Sequence, residues 1–208
     1  MPYPWGAPLA GAATFGVLSR FPMAASLADH RPPKRNGAGL APLRLVPRPE
    51  GLLQVHTAPY RGSFAAVYSQ ALRSAGLGSR VLVSQFLKGG VDQGVAGSLW
   101  LCGRLQWLRP ATPLCLEAPP TGPDGTGLLG AVREVWEFSR ETLLAGQVDL
   151  MVLDELGLAV ELGWLAATEV CETLERRPAH LDVILTGPAM PPALMAMADQ
   201  VTELRRGL

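Results

Sequence analysis

The stretch GLLQVHTAPYRGSFAAVYSQALRSAGLGSRVLVSQF, residues 51–86, decides the fold class of this chain. It opens with a short apolar run, 52–57, and ends with a nearly continuous apolar run, 81–86, as strands of buried parallel sheets do. Between these runs, apolar residues recur at the spacing of one helix face, which predicts an amphipathic helix from Phe64 to Ala75 with Ser63 as its N-cap. A strand, a helix and a strand with short connections form a βαβ unit with a right-handed crossover.

The rest of the chain repeats this alternation. The proline-rich stretch 88–127 is predicted to be largely irregular, with one short strand at 105–108. Further predicted elements are a helix at 128–145, a strand at 149–155, a helix at 166–176, a strand at 183–187, a short helix from Pro191 and a strand near 201–204. Together they predict an α/β fold with a doubly wound, mostly parallel sheet.

Composition bounds the domain organisation and the classes of partner. Residues 1–48, rich in Pro, Ala and Gly, lack helical or strand periodicity and predict a flexible extension or an arm that docks on a partner; residues 49–208 form the folded domain. Lys+Arg and Asp+Glu number 18 each, so the chain lacks the excess of basic charge that is typical of nucleic-acid-binding proteins. No apolar run reaches the length of a membrane span, and we expect a cytoplasmic protein.

Two strand ends carry the candidate site residues, because ligands of open parallel sheets bind at the carboxyl ends of the strands. The turn after Thr57 leads into a helix N-terminus, whose backbone N–H groups and dipole favour an anion. The pair Asp154-Glu155 ends a buried apolar run, where a carboxylate of P-loop proteins holds Mg²⁺. The alternative interpretation of this pair is an N-cap and first-turn acid of the next segment.

Several segments, taken together and in order, resemble the P-loop corrinoid adenosyltransferases, which transfer the deoxyadenosyl group of ATP to the cobalt of a reduced corrinoid. The family's loop HTGNGKGKTTAA corresponds here to HTAPYRGSFAA at 56–66, and its VVQFIKG to LVSQFLKG at 82–89. The family's DLVVLDEL is similar to DLMVLDEL at 149–156. Further matches are REVW at 133–136, RPAH and VILTG within 177–187, and ADQVTELR at 198–205.

The resemblance implies a P-loop NTPase-type sheet, ATP and Mg²⁺ as cofactors, a corrinoid as substrate, and a homodimer. The implied nucleotide-binding positions are Thr57, Ala58, Arg61, Gly62 and Ser63. The implied Mg²⁺ ligands are Asp154 and Glu155. Further implied pocket residues are Gln85, Phe86, Lys88 and Thr186.

The phosphate-binding loop departs from the family pattern, so its Walker A motif is degenerate. The family lysine falls on Ser63 and the Mg²⁺-binding threonine on Phe64. Two loop glycines fall on Ala58 and Tyr60, and the arginine of a later TGR motif falls on Pro188. A P-loop needs glycines to wrap the phosphates and a lysine to neutralise them. We therefore expect ATP binding to be weakened by orders of magnitude unless other residues compensate.

Three functions remain open on the sequence alone. The first is an active ATP:corrinoid adenosyltransferase. The second is a pseudoenzyme on the same fold, a binding or regulatory protein that does not bind ATP and holds another anion, a corrinoid or a protein partner. The third is another ATPase or kinase that uses the carboxylate pair differently, although no catalytic-base or arginine-finger motif supports it.

Overall fold

The computed structural model describes residues 50–62, 64–122 and 125–205. Within these ranges the strands are β1 (Leu53–Thr57), β2 (Val81–Gln85), β3 (Val91–Asp92), β4 (Leu99–Leu101), β5 (Leu105–Leu108), β6 (Ala111–Thr112), β7 (Leu150–Asp154), β8 (Asp182–Gly187) and β9 (Gln200–Glu203). The helices are α1 (Ala65–Gly76), α2 (Gly125–Leu144), α3 (Leu156–Glu161), α4 (Ala167–Glu175) and α5 (Pro192–Met197). The predicted extension, 1–48, and Ser63 lie outside the described residues.

The described strands form one large sheet and one small ribbon. Seven strands follow the order β4-β5-β2-β7-β8-β1-β9, while β3 and β6 pair antiparallel by themselves. Every neighbouring pair in the large sheet is parallel except β4 with β5. The predicted α/β class with a mostly parallel sheet is confirmed.

Helices pack on both faces of the sheet. Successive residues of a strand point to opposite faces, and in β2 Val81 and Val83 join one apolar cluster while Leu82 joins another. Helix α1 contributes Val67 and Ala71 to the first cluster. The second cluster contains side chains of the other four helices, among them Trp136, Leu156, Val170 and Leu194. The two layers bury the central strands β2, β7 and β8 on both sides, which explains their nearly continuous apolar sequences.

Element boundaries differ from the prediction where local signals are weak. Helix α1 begins at Ala65, with Phe64 in the N-cap position and no side-chain capping bond, so the cap predicted at Ser63 is wrong. The stretch 88–127 also contains β3, β4 and β6, which are two or three residues long and too short to show a periodicity of two. Among the described residues, no helix is long and apolar enough to cross a membrane.

Strand register brings three polar side chains into one row at the carboxyl ends of the central strands. Gln85 at the end of β2 lies opposite Asp154 at the end of β7, and Asp154 lies opposite Thr186 in β8. All three side chains are buried. They lie at the end of the sheet where ligands of open parallel sheets bind.

Candidate functional site

Asp154 is the centre of a buried hydrogen-bond network. Thr186 Oγ1 donates to Asp154 Oδ1 at 2.5 Å, and Gln85 Nε2 donates to Oδ2 at 2.8 Å. Two side chains from outside the row complete the network: Tyr68 of α1 donates its hydroxyl to Oδ2 at 2.6 Å, and Lys88 Nζ lies 2.8 Å from the same oxygen. The carboxylate is fully buried, so these donors and the Lys88 ammonium replace the water that it loses.

Glu155 is held by the loop that follows β1. Arg61 Nε and Nη2 each donate to one oxygen of the Glu155 carboxylate, both at 2.7 Å. The same guanidinium also donates to the carbonyls of Leu87, at 2.9 Å, and Leu116, at 3.2 Å. The Glu155 side chain is 1% exposed and that of Arg61 25%. The hydrogen bonds to Glu155 raise the pKa of Arg61, so the guanidinium that forms this two-pronged pair stays charged.

The backbone of Glu155 adopts a conformation that residues other than glycine rarely take. Its φ of 61° and ψ of 22° lie in the left-handed region, and its N–H donates to the Thr186 carbonyl at 2.7 Å. Glu155 occupies the N-cap position of α3, yet its side chain makes no capping bond. The interpretation of the pair as a capping acid therefore does not describe this carboxylate, which turns to Arg61 instead.

Together these residues form what we call the carboxylate cluster: Arg61, Tyr68, Gln85, Lys88, Asp154, Glu155 and Thr186. The predicted pocket residues Gln85, Lys88 and Thr186 all belong to it, as does the predicted loop residue Arg61. The predicted residue Phe86 does not, because its ring is buried in the core 6.3 Å from the Trp136 ring.

Of the remaining predicted loop residues, the three that the structure describes do not reach the carboxylates with their side chains. Thr57 ends β1, and its carbonyl accepts a hydrogen bond from the N–H of Leu204 at 2.8 Å. Ala58 is buried in the apolar cluster under α1. Gly62 offers its carbonyl to Lys88 Nζ at 3.4 Å. Ser63 lies outside the described residues.

One residue of the cluster and two residues beside it were not predicted from the sequence as site residues. Tyr68 lies on the apolar stripe of α1, four residues after Phe64, which is the pattern of a core residue. Trp107 Nε1 and Arg109 Nε donate to Gln85 Oε1 at 2.9 and 2.7 Å. Trp107 lies in β5 and Arg109 directly follows it, and nothing local in the sequence indicates Gln85 as their partner.

The cluster offers a Mg²⁺ ion no carboxylate that lacks an internal partner. Magnesium is bound through one or two carboxylates and keeps several of its waters. Both oxygens of Asp154 accept hydrogen bonds and both oxygens of Glu155 bind Arg61. Two carboxylates face two cations, Arg61 and Lys88, so their formal charges cancel. Among the described residues, no group of three or more His, Cys, Asp and Glu side chains is placed to hold a metal.

The network makes a prediction for Tyr68 at alkaline pH. Burial, followed by the negative charge of Asp154, raises the pKa of Tyr68. The hydroxyl therefore remains protonated in the folded protein at pH about 11, whereas an unfolded tyrosine titrates near pH 10. The contribution of the protonated Tyr68 hydroxyl to the free energy of unfolding is fully present below pH about 10. It is lost as the pH rises above that value. At pH about 11, unfolding by denaturant should increase the tyrosinate absorbance, because Tyr68 then ionises. The increase should be smaller in Tyr68→Phe. An equal increase in the variant would contradict the prediction.

Comparisons with known proteins agree with the resemblance. The sequence model of the family described as ATP:corrinoid adenosyltransferase BtuR/CobO/CobP matches residues 49–207. The corrinoid adenosyltransferase of Escherichia coli K12 is 32% identical over 155 residues, which cover 74% of this chain and 76% of the relative. Corrinoid adenosyltransferase CobA of Salmonella typhimurium has the same identity and coverage. The uncharacterized protein all2391 of Nostoc is 26% identical over 193 residues, covering 82% of this chain and 48% of that protein.

Proposed function

Because this chain belongs to the ATP:corrinoid adenosyltransferase family, we propose that it is a non-catalytic, ligand-binding member whose nucleotide site is closed by internal ion pairs. In this proposal the fold is of the P-loop type, and the turn 58–64 corresponds to a phosphate-binding loop that no longer binds Mg-ATP. The observation that carries the proposal is the two-pronged ion pair between Arg61 and Glu155.

The direction of the Arg61 side chain supports this proposal. An active loop directs its cation at the phosphates, whereas Arg61 directs its guanidinium at a buried carboxylate 94 residues further along the chain. Phe64, at the position of the family's Mg²⁺-binding threonine, is 3% exposed and packs under α1. The loop thus provides packing and an internal counter-charge where the family pattern provides a lysine and a hydroxyl.

The cost of breaking the internal ion pairs also disfavours the binding of Mg-ATP. Removing one partner from a buried ion pair costs about 3–5 kcal/mol, because the other charge remains buried without compensation. Mg-ATP would have to displace Arg61 from Glu155 and Lys88 from Asp154 before the metal reached either carboxylate. Without the family lysine, few new charge-assisted contacts would offset that cost. In this proposal Asp154 and Glu155 are structural and tie α1 and the loop to the sheet.

The second candidate is a working ATP:corrinoid adenosyltransferase. The 32% identity to relatives named corrinoid adenosyltransferases favours it, as does the Asp154-Glu155 pair at the end of β7. This alternative requires Arg61 to leave Glu155 when nucleotide binds. For either candidate, the homodimer implied by the family resemblance remains a proposal.

Calorimetric titration of the full chain with Mg-ATP tests the proposed function. We expect no saturable binding up to about 1 mM, a concentration at which even a weak specific site, with a free energy of roughly −4 kcal/mol, would be half filled. The matched variant is Ser63→Lys/Phe64→Thr with Arg61→Lys, which restores the loop chemistry and removes the two-pronged pair. A circular dichroism melt establishes that this variant is folded.

Two results decide between the candidates. Absence of binding by the wild type, with binding gained by the variant, supports a nucleotide site closed by its own side chains. Saturable binding of Mg-ATP by the wild type below about 1 mM would overturn the proposal. Adenosylation of a reduced corrinoid would then be assayed directly.

A further inference from the structure

A cavity of about 480 Å³ lies next to the carboxylate cluster, at the β4–β5 edge of the sheet. Its apolar wall is formed by Val91, Leu99, Leu101 and Trp107. Gln93 and Arg109 are among its polar lining residues. Its volume is within the range of pockets that bind small molecules, and such pockets combine apolar walls with a few polar groups.

The apolar wall of this cavity is unusually exposed for its residue types. Val91 and Leu99 are each 53% exposed, although both are large aliphatic side chains. Leu99 lies opposite Trp107 in the β4–β5 pairing, so the two side chains share the sheet face that lines the cavity. Contiguous exposed apolar surface next to polar groups marks a binding site more often than scattered apolar residues do.

Arg109 is a half-buried cation without an acidic partner in the described part of the chain. Its Nε donates to Gln85 Oε1 at 2.7 Å and its Nη1 donates to the Gly89 carbonyl at 3.0 Å. Both acceptors are neutral, and Nη2 donates to no residue that the structure describes. Asp92 also lines the cavity, but it is exposed to solvent and forms no ion pair with Arg109. Arg61, by contrast, is neutralised by Glu155.

We propose that this cavity binds a small apolar carboxylate. The carboxylate pairs with the Arg109 guanidinium, which matches the planar, two-pronged geometry of carboxylates. The apolar body lies against Trp107, Leu99 and Leu101, whose exposed surface it removes from water. This site is separate from the turn 58–64, so the proposal does not depend on whether that loop binds nucleotide.

The cavity is also linked by hydrogen bonds to the carboxylate cluster. Trp107 and Arg109 both donate to Gln85 Oε1, and Gln85 Nε2 donates to Asp154. A carboxylate bound at Arg109 competes with Gln85 for the same guanidinium. A ligand in the cavity is therefore connected to Asp154 through Gln85. Its binding can be followed by the fluorescence of the Trp107 indole.

Titration of the full chain with naphthoate and with its uncharged amide, naphthamide, tests this site. The two probes share one apolar body and differ in the charge that Arg109 would bind. We expect naphthoate to bind saturably and at least about tenfold more tightly than naphthamide, as a charge-assisted contact implies. Calorimetry gives the affinities, and quenching of tryptophan fluorescence provides an independent reading.

Three variants locate the binding. Arg109→Gln should weaken naphthoate binding about tenfold or more and leave naphthamide nearly unchanged. Leu99→Asp places a negative charge in the cavity wall without touching the Arg109 hydrogen bonds, and should also weaken naphthoate binding. The matched control, Arg104→Gln, removes an equal charge from an exposed turn outside the cavity lining and should have no effect. Thermal melts establish that each variant is folded.

Three outcomes would overturn the proposal. The first is equal affinity for naphthoate and naphthamide, which would mean that Arg109 does not bind the carboxylate of the ligand. The second is unchanged naphthoate binding in folded Arg109→Gln and Leu99→Asp, which would place the ligand elsewhere. The third is the absence of saturable naphthoate binding by the full chain.

Discussion

Arg61→Leu is expected to lower the free energy of unfolding by about 3 kcal/mol or more, because it leaves the Glu155 carboxylate buried without its counter-ion. Glu155 is 1% exposed, so water cannot replace the guanidinium without opening the structure. The variant also removes two hydrogen bonds to the carbonyls of Leu87 and Leu116. Equilibrium unfolding in guanidinium chloride, followed by circular dichroism, measures the loss.

The matched control for this change is Arg133→Leu. Arg133 pairs with Glu169 at 3.3 Å, but the two side chains are 44% and 27% exposed and Glu169 retains a hydrogen bond from Trp136. Surface pairs of this kind contribute about 1 kcal/mol or less. The double variant Arg61→Leu/Glu155→Gln should recover much of the stability, because no buried charge remains. If Arg61→Leu were as mild as Arg133→Leu, the pair would not hold the loop to the sheet.

The second large effect is expected for Asp154→Leu, at about 3–5 kcal/mol. The substitution removes the acceptor shared by Tyr68, Gln85 and Thr186 and leaves the Lys88 ammonium without its partner. Each buried donor that loses its acceptor adds to the cost. Urea denaturation of the full chain provides the measurement, with the slope of the transition checked against the wild type.

Two comparisons make this second prediction specific to the network. Asp154→Asn preserves the shape and one acceptor oxygen, so its cost should be smaller than that of Asp154→Leu. Asp149→Asn, in the same strand region, breaks an exposed ion pair with Arg80 and should have little effect. A loss for Asp154→Leu no greater than that for Asp149→Asn would show that the network does not stabilise the fold.

The two predictions address one physical feature, a site in which protein side chains neutralise the carboxylates. Arg61 and Lys88 lie beside Glu155 and Asp154 as their counter-ions. Under the proposed function, an arginine on the loop makes the carboxylate pair structural without any change in the pair itself.

Local patterns predicted the strongly periodic elements well. The runs around β2, β7 and β8 are buried on both faces, so their sequences are nearly continuous in apolar residues and bounded by turns. Helix α1 was visible from its single apolar stripe. The strands β3, β4 and β6 were missed because two or three residues show no periodicity. The helix α3 was missed because its six residues span less than two turns.

The candidate site was predicted only in part. Strand ends and the family resemblance led to Arg61, Gln85, Lys88, Asp154 and Thr186, all of which lie in the carboxylate cluster. Tyr68 was missed because its ring fits an apolar stripe, and only its hydroxyl reaches Asp154. Arg109 was missed because its partner Gln85 lies at the end of the neighbouring strand β2, 24 residues earlier in the chain.

Periodicity and ordered motifs along the chain are enough to predict the α/β class, the order of the main elements and the family resemblance. The pairing of Arg61 with Glu155, and the position of Arg109 at an apolar cavity without a carboxylate partner among the described residues, became visible in the folded chain. Arg61 and Glu155 are 94 residues apart, and strand register and loop direction set the distance between them. Side-chain pairing across a sheet is a property of the packed chain, so no local pattern encodes it.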